Sequence, residues 1–395
     1  MDFQLDDAAR ERLEALRAFG RETIRPLGIE RDRAGSPTPP DHPFFREVLA
    51  RGLTRPPAGS DEGGTSLGAA VWRVVAGQEL AYWDRGVSSS LPGPGLGGGP
   101  VMSMGTPEQQ KRLLGPFRDM TEPRWAAFAM TEPGAGSDVA RIQSRAVRDG
   151  DDWVLNGAKL YSANADRADW IVVFATVDPA LGRAGHRAFI VERGMPGLSE
   201  PKPEKKMGIK AYASASFTMN DLRVPADNLL GSEARYESRG GGQRPGAGFK
   251  GAMQTFNATR PAIAANAVGM ARACLDEATA FARDRDRLTG RHRDRLERMR
   301  RRIRAAWLMC LKAAWLADRG EPNMVEASMS KATAAEVAME AASLGMEVLG
   351  AVGAQGEHLI EKLYRDVKAM DIVEGTGQIQ RIVMARHLVN YPRDA

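Results

Sequence analysis

Glu374 lies in the segment Asp371-Ile-Val-Glu-Gly-Thr-Gly-Gln-Ile-Gln-Arg381, behind two apolar residues and at the start of a Gly-Thr-Gly turn. A carboxylate part buried on flexible backbone has the make-up of a general base. Burial disfavours its charged form, raises its pKa toward neutrality and makes it a better proton acceptor. The same residues also read as a helix N-cap region, with an acid near the positive end of the next helix. A second string, Ala129-Met-Thr-Glu-Pro-Gly-Ala-Gly-Ser-Asp138, ends a strand at Thr131. Its Gly-Ala-Gly turn offers backbone amides and close approach to a planar or phosphate-bearing group. Gly93-Pro-Gly-Leu-Gly-Gly98 matches the dinucleotide-binding glycine spacing. No strand precedes it, and Pro92, Pro94 and Pro100 forbid the strand–turn–helix geometry that the chemistry needs.

The elements that must position these residues change character along the chain. Leu5, Ala9, Leu13, Leu16 and Phe19 repeat at helical spacing, with Pro26 just beyond the expected helix end. A proline-rich loop at 36–43 precedes helical patterns at 44–53 and 69–82. Glycine and proline dominate 88–104, and a short helix is expected from Thr106 or Pro107 to Leu114. From Trp125 the pattern becomes β-rich, with strands expected at 126–130, 153–155, 170–175, 187–191 and 216–219 between turns such as Asp149-Gly150 and Asn156-Gly157. After Pro225 a Gly/Arg-rich stretch at 232–248 leads into long helices at about 250–284, 293–319, 321–349, 357–370 and 376–390. Helices, then strands, then helices make an α+β chain, not an alternating doubly wound sheet.

At 395 residues the chain is long enough for two or three domains. With 43% hydrophobic and 27% charged residues it has the composition of a globular protein. Two cysteines exclude a disulfide framework or thiol cluster, and the five histidines lack ligand spacing, so no metal site is expected. An acidic N-terminus without a hydrophobic core, and no apolar run of spanning length, predict a cytoplasmic protein without a membrane segment. The net charge of +5 suits anionic ligands without demanding nucleic acid.

Five strings together resemble the acyl-CoA dehydrogenase family of flavoproteins over residues 10–390. They are the Ala129–Asp138 string, the Asn156-Gly-Ala-Lys159 turn, Phe256-Asn-Ala-Thr-Arg-Pro261, Lys362-Leu-Tyr-Arg-Asp366 and Glu374-Gly-Thr-Gly-Gln-Ile-Gln-Arg381. The resemblance implies an N-terminal α-helical domain (1–124), a middle β-barrel-like domain (125–231) and a C-terminal four-helix bundle (232–395, with a basic Gly-rich insert at 232–248). It implies FAD in the cleft between them, completed by a neighbouring subunit of a dimer or tetramer. The implied reaction makes an α,β-double bond in an acyl-CoA or acyl-carrier-protein thioester, with an electron-transfer flavoprotein as electron acceptor. Glu374 takes the α-proton and the flavin takes the β-hydride. Thr131 bonds the flavin pyrimidine edge, with Met130 against the ring, and Thr376 and Gln378 hold the pyrophosphate and adenosine side. Ser137, Arg260 and Gly375 serve the substrate, although Arg260 reads equally as a helix-surface arginine.

Several positions depart from the family pattern. Tyr161, Ser162 and Ala163 stand where relatives carry Trp-Ile-Thr or Phe-Ile-Ser, so the hydroxyl expected beside the flavin is missing unless Ser162 is re-aimed by a local shift. Such a loss costs roughly 1–3 kcal/mol of transition-state stabilisation, or about 10–100-fold in rate. Arg285 keeps a pyrophosphate contact, in a motif that is otherwise altered. Glu347 replaces a glutamine ahead of Gly350, Ala351 and Gly353, and a carboxylate there needs a neutralising arginine. Asn257 replaces a frequent aspartate. The insert at 232–248 reads as a loop or as a carrier contact. Eleven arginines in 283–304 read as a solvated helix face, with nucleic-acid binding as the competing reading. A flavin oxidase on a non-thioester substrate is the other alternative, and Glu374 in place of aspartate argues against it.

Overall fold

The structure, a computed structural model, describes residues 3–52, 68–118, 120–236, 247–285 and 288–390. Most of the 232–248 insert lies outside the described residues.

The N-terminal helices are α1 (Asp7–Phe19), α2 (Arg25–Ala34), α3 (Pro43–Ala50), α4 (Ala69–Ser90), α5 (Gly98–Met104) and α6 (Pro107–Leu114). Asp6 caps α1 by accepting the Ala9 N–H at 2.8 Å, and Leu13, Leu16 and Phe19 turn inward as their spacing predicts. Pro26 does not end the helix, which corrects the expectation. A π-helical stretch at Gly20–Ile24 links α1 to α2, and Pro26 occupies the first turn of α2, where a missing N–H costs little. The stretch 88–104 is also more helical than its glycines and prolines suggest. Ser88 and Ser89 donate back to the Arg85 carbonyl at 3.0 and 2.8 Å, and α4 runs on to Ser90. At Asp84 that helix is broken by extended backbone (φ −164°, ψ 119°). The Asp84 carboxylate then restarts it by accepting the Val87 N–H at 2.8 Å. Thr106 and Gln109 form the reciprocal capping box that opens α6.

The strands are β1 (Ala126–Ala129), β2 (Arg145–Asp149), β3 (Asp152–Ala163), β4 (Trp170–Thr176), β5 (His186–Glu192), β6 (Lys202–Pro203) and β7 (Ser214–Pro225). They make one curled, half-barrel sheet in the order β1-β4-β2-β3-β7-β6, with β5 also on β4. Every residue of β4 is buried, which explains its unbroken apolar run. β2 escaped sequence reading because only Ala146 in it is buried. β3 and β7 extend far past their apolar centres because they pair with each other along 12 residues each.

The C-terminal helices are α7 (Glu233–Tyr236), α8 (Ala247–Asp284), α9 (Gly290–Asp318), α10 (Met324–Leu349), α11 (Ala351–Ala354), α12 (Leu359–Val367) and α13 (Gly377–Leu388). One core joins α1 and α4 to α8, α9 and α10 through alanine-rich faces. Small residues set the spacing there. A Cβ on Gly269 of α8 would lie 2.1 Å from the Gln78 carbonyl of α4. The helical–β–helical-bundle architecture is the one the resemblance implied.

A buried ionic cluster ties the units together. Lys362 on α12 lies 2.5 Å from both Asp84 and Asp366, and Arg365 grips Asp32 of α2 in a bidentate pair at 2.5 and 2.8 Å. Arg365 also donates to the Met207 carbonyl at 2.8 Å, which brings in the loop ahead of β7. No described helix is long and apolar enough to cross a membrane.

Candidate active site

Glu374 lies on the short link between α12 and α13. It adopts a left-handed conformation (φ +55°), and Gly375 follows with φ +93°. Left-handed backbone at a non-glycine residue costs about 1–2 kcal/mol, and such strain gathers at functional sites. The turn is held by Gln380, fully buried, which donates to the Gly375 and Glu374 carbonyls at 3.1 and 3.4 Å. A Cβ on Gly375 would lie 2.8 Å from the Gln380 amide nitrogen, so glycine is required there. Thr376 caps α13 by accepting the Ile379 N–H at 3.4 Å.

The Glu374 side chain points to α8, where Thr259 donates a 2.6 Å hydrogen bond to Oε2. Burial pushes the Glu374 carboxyl above the ordinary glutamate range. Thr259, Arg85, Arg260 and Lys331 pull in the opposite direction without prevailing. Arg260 is buried, so the surface reading of this residue is wrong. It donates to Asn257 at 2.8 Å, and a Cβ on Gly375 would lie 3.9 Å from its Nη2. Lys331 on α10 donates to the Asp371 carbonyl at 3.1 Å, and burial pulls its pKa down to about 8.

The sheet forms the other wall. Met130 is buried, and the Thr131 carbonyl accepts the Leu160 N–H at 2.9 Å, so β1 and β3 meet where both strings converge. Behind them Lys159, fully buried, pairs with Glu132 at 2.6 Å. Glu132 also accepts the N–H groups of Gln143 and Ser144 at 2.6 and 3.1 Å, which fixes the turn that presents Gly134, Gly136 and the exposed Ser137. A Cβ on either glycine would meet nothing within 4 Å, so the turn leaves open space.

Tyr161 and Asn164 are left-handed as well (φ +57° each), and β3 shifts register against β7 between Lys159 and Ser162. The irregularity turns the Tyr161 ring outward at 63% exposure and the Ser162 side chain inward. There its hydroxyl is buried without a partner among the described residues. The local shift therefore does not carry Ser162 to the open face. Ala163 pairs with Ser214 and adds no polar atom.

Other expected positions lie elsewhere. Arg285 is exposed at the end of α8, about 37 Å along the helix from Arg260 at 1.5 Å per residue. Glu347, exposed near the end of α10, is neutralised by Arg295 and by Arg291 at 4.0 Å, the compensation its position demanded; Arg295 holds its carboxyl below the usual range. Gly350 follows it with φ +61°. Gln378 is exposed in the first turn of α13.

Sequence reading missed Thr259, Lys331, Gln380 and Arg85. Thr259 and Gln380 belong to strings already singled out, and Lys331 is a lone charge in an apolar, alanine-rich helix.

Profiles of the acyl-CoA dehydrogenase N-terminal, middle and C-terminal domains match residues 6–121, 127–222 and 246–389. The chain belongs to the acyl-CoA dehydrogenase family. It is 33% identical to the short-chain specific acyl-CoA dehydrogenase of Megasphaera elsdenii, over 97% of this chain and 98% of that one. The solved butyryl-CoA dehydrogenase of the same organism matches with a TM-score of 0.86 at 32% identity, over 98% and 100% of the two chains. A prolyl acyl carrier protein oxidase matches with a TM-score of 0.83 at 25% identity, over 97% and 99%. Family membership makes the chain an FAD-dependent enzyme that dehydrogenates acyl-CoA thioesters. Its residues suit the cofactor. The glycine turn leaves open space, the Tyr161 ring is exposed and Thr131 is half-buried, so each is accessible to a bound group. The capped N-terminus of α13 supplies N–H groups for a phosphate.

Proposed function

We propose that Glu374 is the base that removes the α-proton of the acyl thioester. The observation that carries this is its geometry: a carboxylate held by Thr259, on strained backbone whose carbonyl accepts from Gln380, with its pKa raised by burial. When bound, FAD supplies the two-electron acceptor that takes the β-hydrogen as hydride. Thr131 and Met130 with Tyr161 would hold the ring, and Thr376, Gly377 and Gln378 the phosphate and adenosine end. Ser137 and Arg260 would fix the thioester arm. The Glu374–Gly375 backbone orients the base, and Thr259 keeps its carboxylate aimed while the substrate proton is transferred.

Arg285, Glu347 and Gly350 are too far along their helices to serve the same cleft as Glu374, which supports a role at the FAD of a second copy in a homodimer or homotetramer. Likeness to a carrier-protein oxidase supports an acyl-carrier-protein thioester as the second substrate reading. An electron-transfer flavoprotein is the proposed electron acceptor.

The test is anaerobic bleaching of the flavin band by a panel of acyl thioesters. Glu374→Gln should keep FAD and thioester binding and slow bleaching by about 10²–10⁴-fold. In the unmodified enzyme the bleaching rate should rise with pH, because only the deprotonated carboxylate accepts a proton. Its midpoint should lie above the ordinary glutamate value of about 4.3. Full-speed bleaching by Glu374→Gln would assign proton removal to another residue.

A further inference from the structure

Helix α13 buries only Gly377 and Gln380, so its single buried side chain is a polar amide. Its apolar Ile382 and Leu388 stay at 46% and 77% exposure. A residue kept for packing would be apolar here, since an amide loses water on burial and must recover its hydrogen bonds. Gln380 recovers only part of them. Its Nε2 donates to the Gly375 and Glu374 carbonyls, while Oε1 is buried with no partner among the described residues. The amide cannot be turned over, because Oε1 would then face two carbonyl oxygens. The position serves the two donated bonds, and both end on the turn that carries the base.

Those bonds fix more than two carbonyls. No described peptide bond is cis, and in a planar trans peptide the C=O and the following N–H point opposite ways. The carbonyls drawn to Gln380 therefore turn the N–H groups of Gly375 and Thr376 away from it. Neither N–H has a backbone partner among the described residues. The Thr376 N–H leads into those of Gly377 and Gln378, which open α13 and have no acceptor within the helix. The same two bonds hold Glu374 at φ +55°, the conformation from which its carboxylate reaches Thr259 at 2.6 Å.

We propose that Gln380 couples the base to the cofactor. Its amide sets as one unit the direction of the Glu374 carboxylate and the Thr376 N–H that, with those of Gly377 and Gln378, meets an FAD phosphate. This rests on Glu374 being the α-base. Gln380 touches no reacting atom and acts as a positioning residue.

The test is Gln380→Met, which keeps the side-chain length and removes both donors. FAD affinity is read by ultrafiltration of diluted holoenzyme, and flavin bleaching on the FAD-loaded enzyme with the thioester of the panel above that reduces the unmodified enzyme fastest. A thermal melt reports folding. FAD affinity should fall about 10-fold and bleaching at saturating thioester about 10–100-fold, with KM changed by less than about 3-fold. Gln380→Met added to Glu374→Gln should slow bleaching no further, since both act through one proton transfer. Gly375→Ala, whose Cβ would lie 2.8 Å from Gln380 Nε2, should show the same joint loss and carries the test if Gln380→Met does not fold. A lower Tm with FAD affinity and bleaching both unchanged would make Gln380 a packing residue and overturn the proposal. Loss of only one of the two, or an additive loss in the double variant, would overturn the coupling alone. Full-speed bleaching by Glu374→Gln would overturn the base reading and the coupling with it.

Discussion

Replacing Lys362 with methionine tests the ionic cluster that carries α4 and α12, and hence the placement of Arg85 and Glu374. Lys362 Nζ stands 2.5 Å from Asp84 Oδ2 and 2.5 Å from Asp366 Oδ2, with both carboxylates almost fully buried. Burial alone would lower the lysine pKa, but Asp366 and Asp84 outweigh it and hold the ammonium above its usual range. Without it the two carboxylates lie at most about 5 Å apart, and at an effective dielectric near 20 their repulsion is about 3 kcal/mol. Breaking a buried pair by removing one partner costs about 3–5 kcal/mol by mutational precedent, in agreement. For a chain this long the unfolding entropy is of order 0.8 kcal/mol per kelvin, so the apparent Tm should fall by about 4–6 °C. The readout is a thermal melt of the FAD-loaded enzyme at several pH values. In the variant one aspartate must take up a proton on folding, so its folded pKa is raised above the unfolded value. The penalty is therefore present at high pH and shrinks as pH falls. Adding Asp84→Asn should recover part of the loss. A change in Tm below about 1 °C at pH 8, or a double variant less stable than the single one, would refute the reasoning.

Ala163→Thr should speed flavin reduction by about 10-fold or more if a hydroxyl is missing from the open wall; a slower enzyme would mean the wall is already complete around Tyr161. Thr259→Val removes the hydrogen bond that favours ionised Glu374. The acid limb of the bleaching rate should then move to higher pH, with a loss of about 10-fold on that limb, and an unmoved limb would contradict the assignment. Lys159→Met leaves Glu132 buried without its cation and should cost about 3–5 kcal/mol by thermal melt. Glu132→Gln in the same chain should recover part of that, and an additive loss would argue against the pairing.

The order of elements was legible because helix and strand periods differ and the long helices bury continuous apolar faces. The failures have local physical causes. Pro26 reads as a helix stop, but a π-turn absorbs its missing donor. β2 has one inward side chain and so no visible alternation. Within the site, Glu374 was legible because its apolar approach and glycine turn are sequence-local. Thr259, 115 positions away, was not, since nothing in a helix pattern tells which face meets a distant loop. Arg85 was hidden for a related reason. Its placement depends on the break at Asp84, which Lys362 stabilises across 278 residues.

The charges around Glu374 bear on the proton transfer proposed for it. Arg85, Arg260 and Lys331 all act on it, yet its pKa is raised, because burial outweighs them. No described cation stands within 4.0 Å of the carboxylate, and its hydrogen-bond donor is a neutral hydroxyl. A cation in direct contact would hold Glu374 ionised and make it a poor base. Kept at a distance, the three cations leave the pKa of the proposed base raised. In the proposed reaction negative charge passes from Glu374 to the thioester oxygen as the α-proton leaves, so the net charge of the cleft is unchanged, and cations held at a distance oppose proton uptake less than a contact cation would.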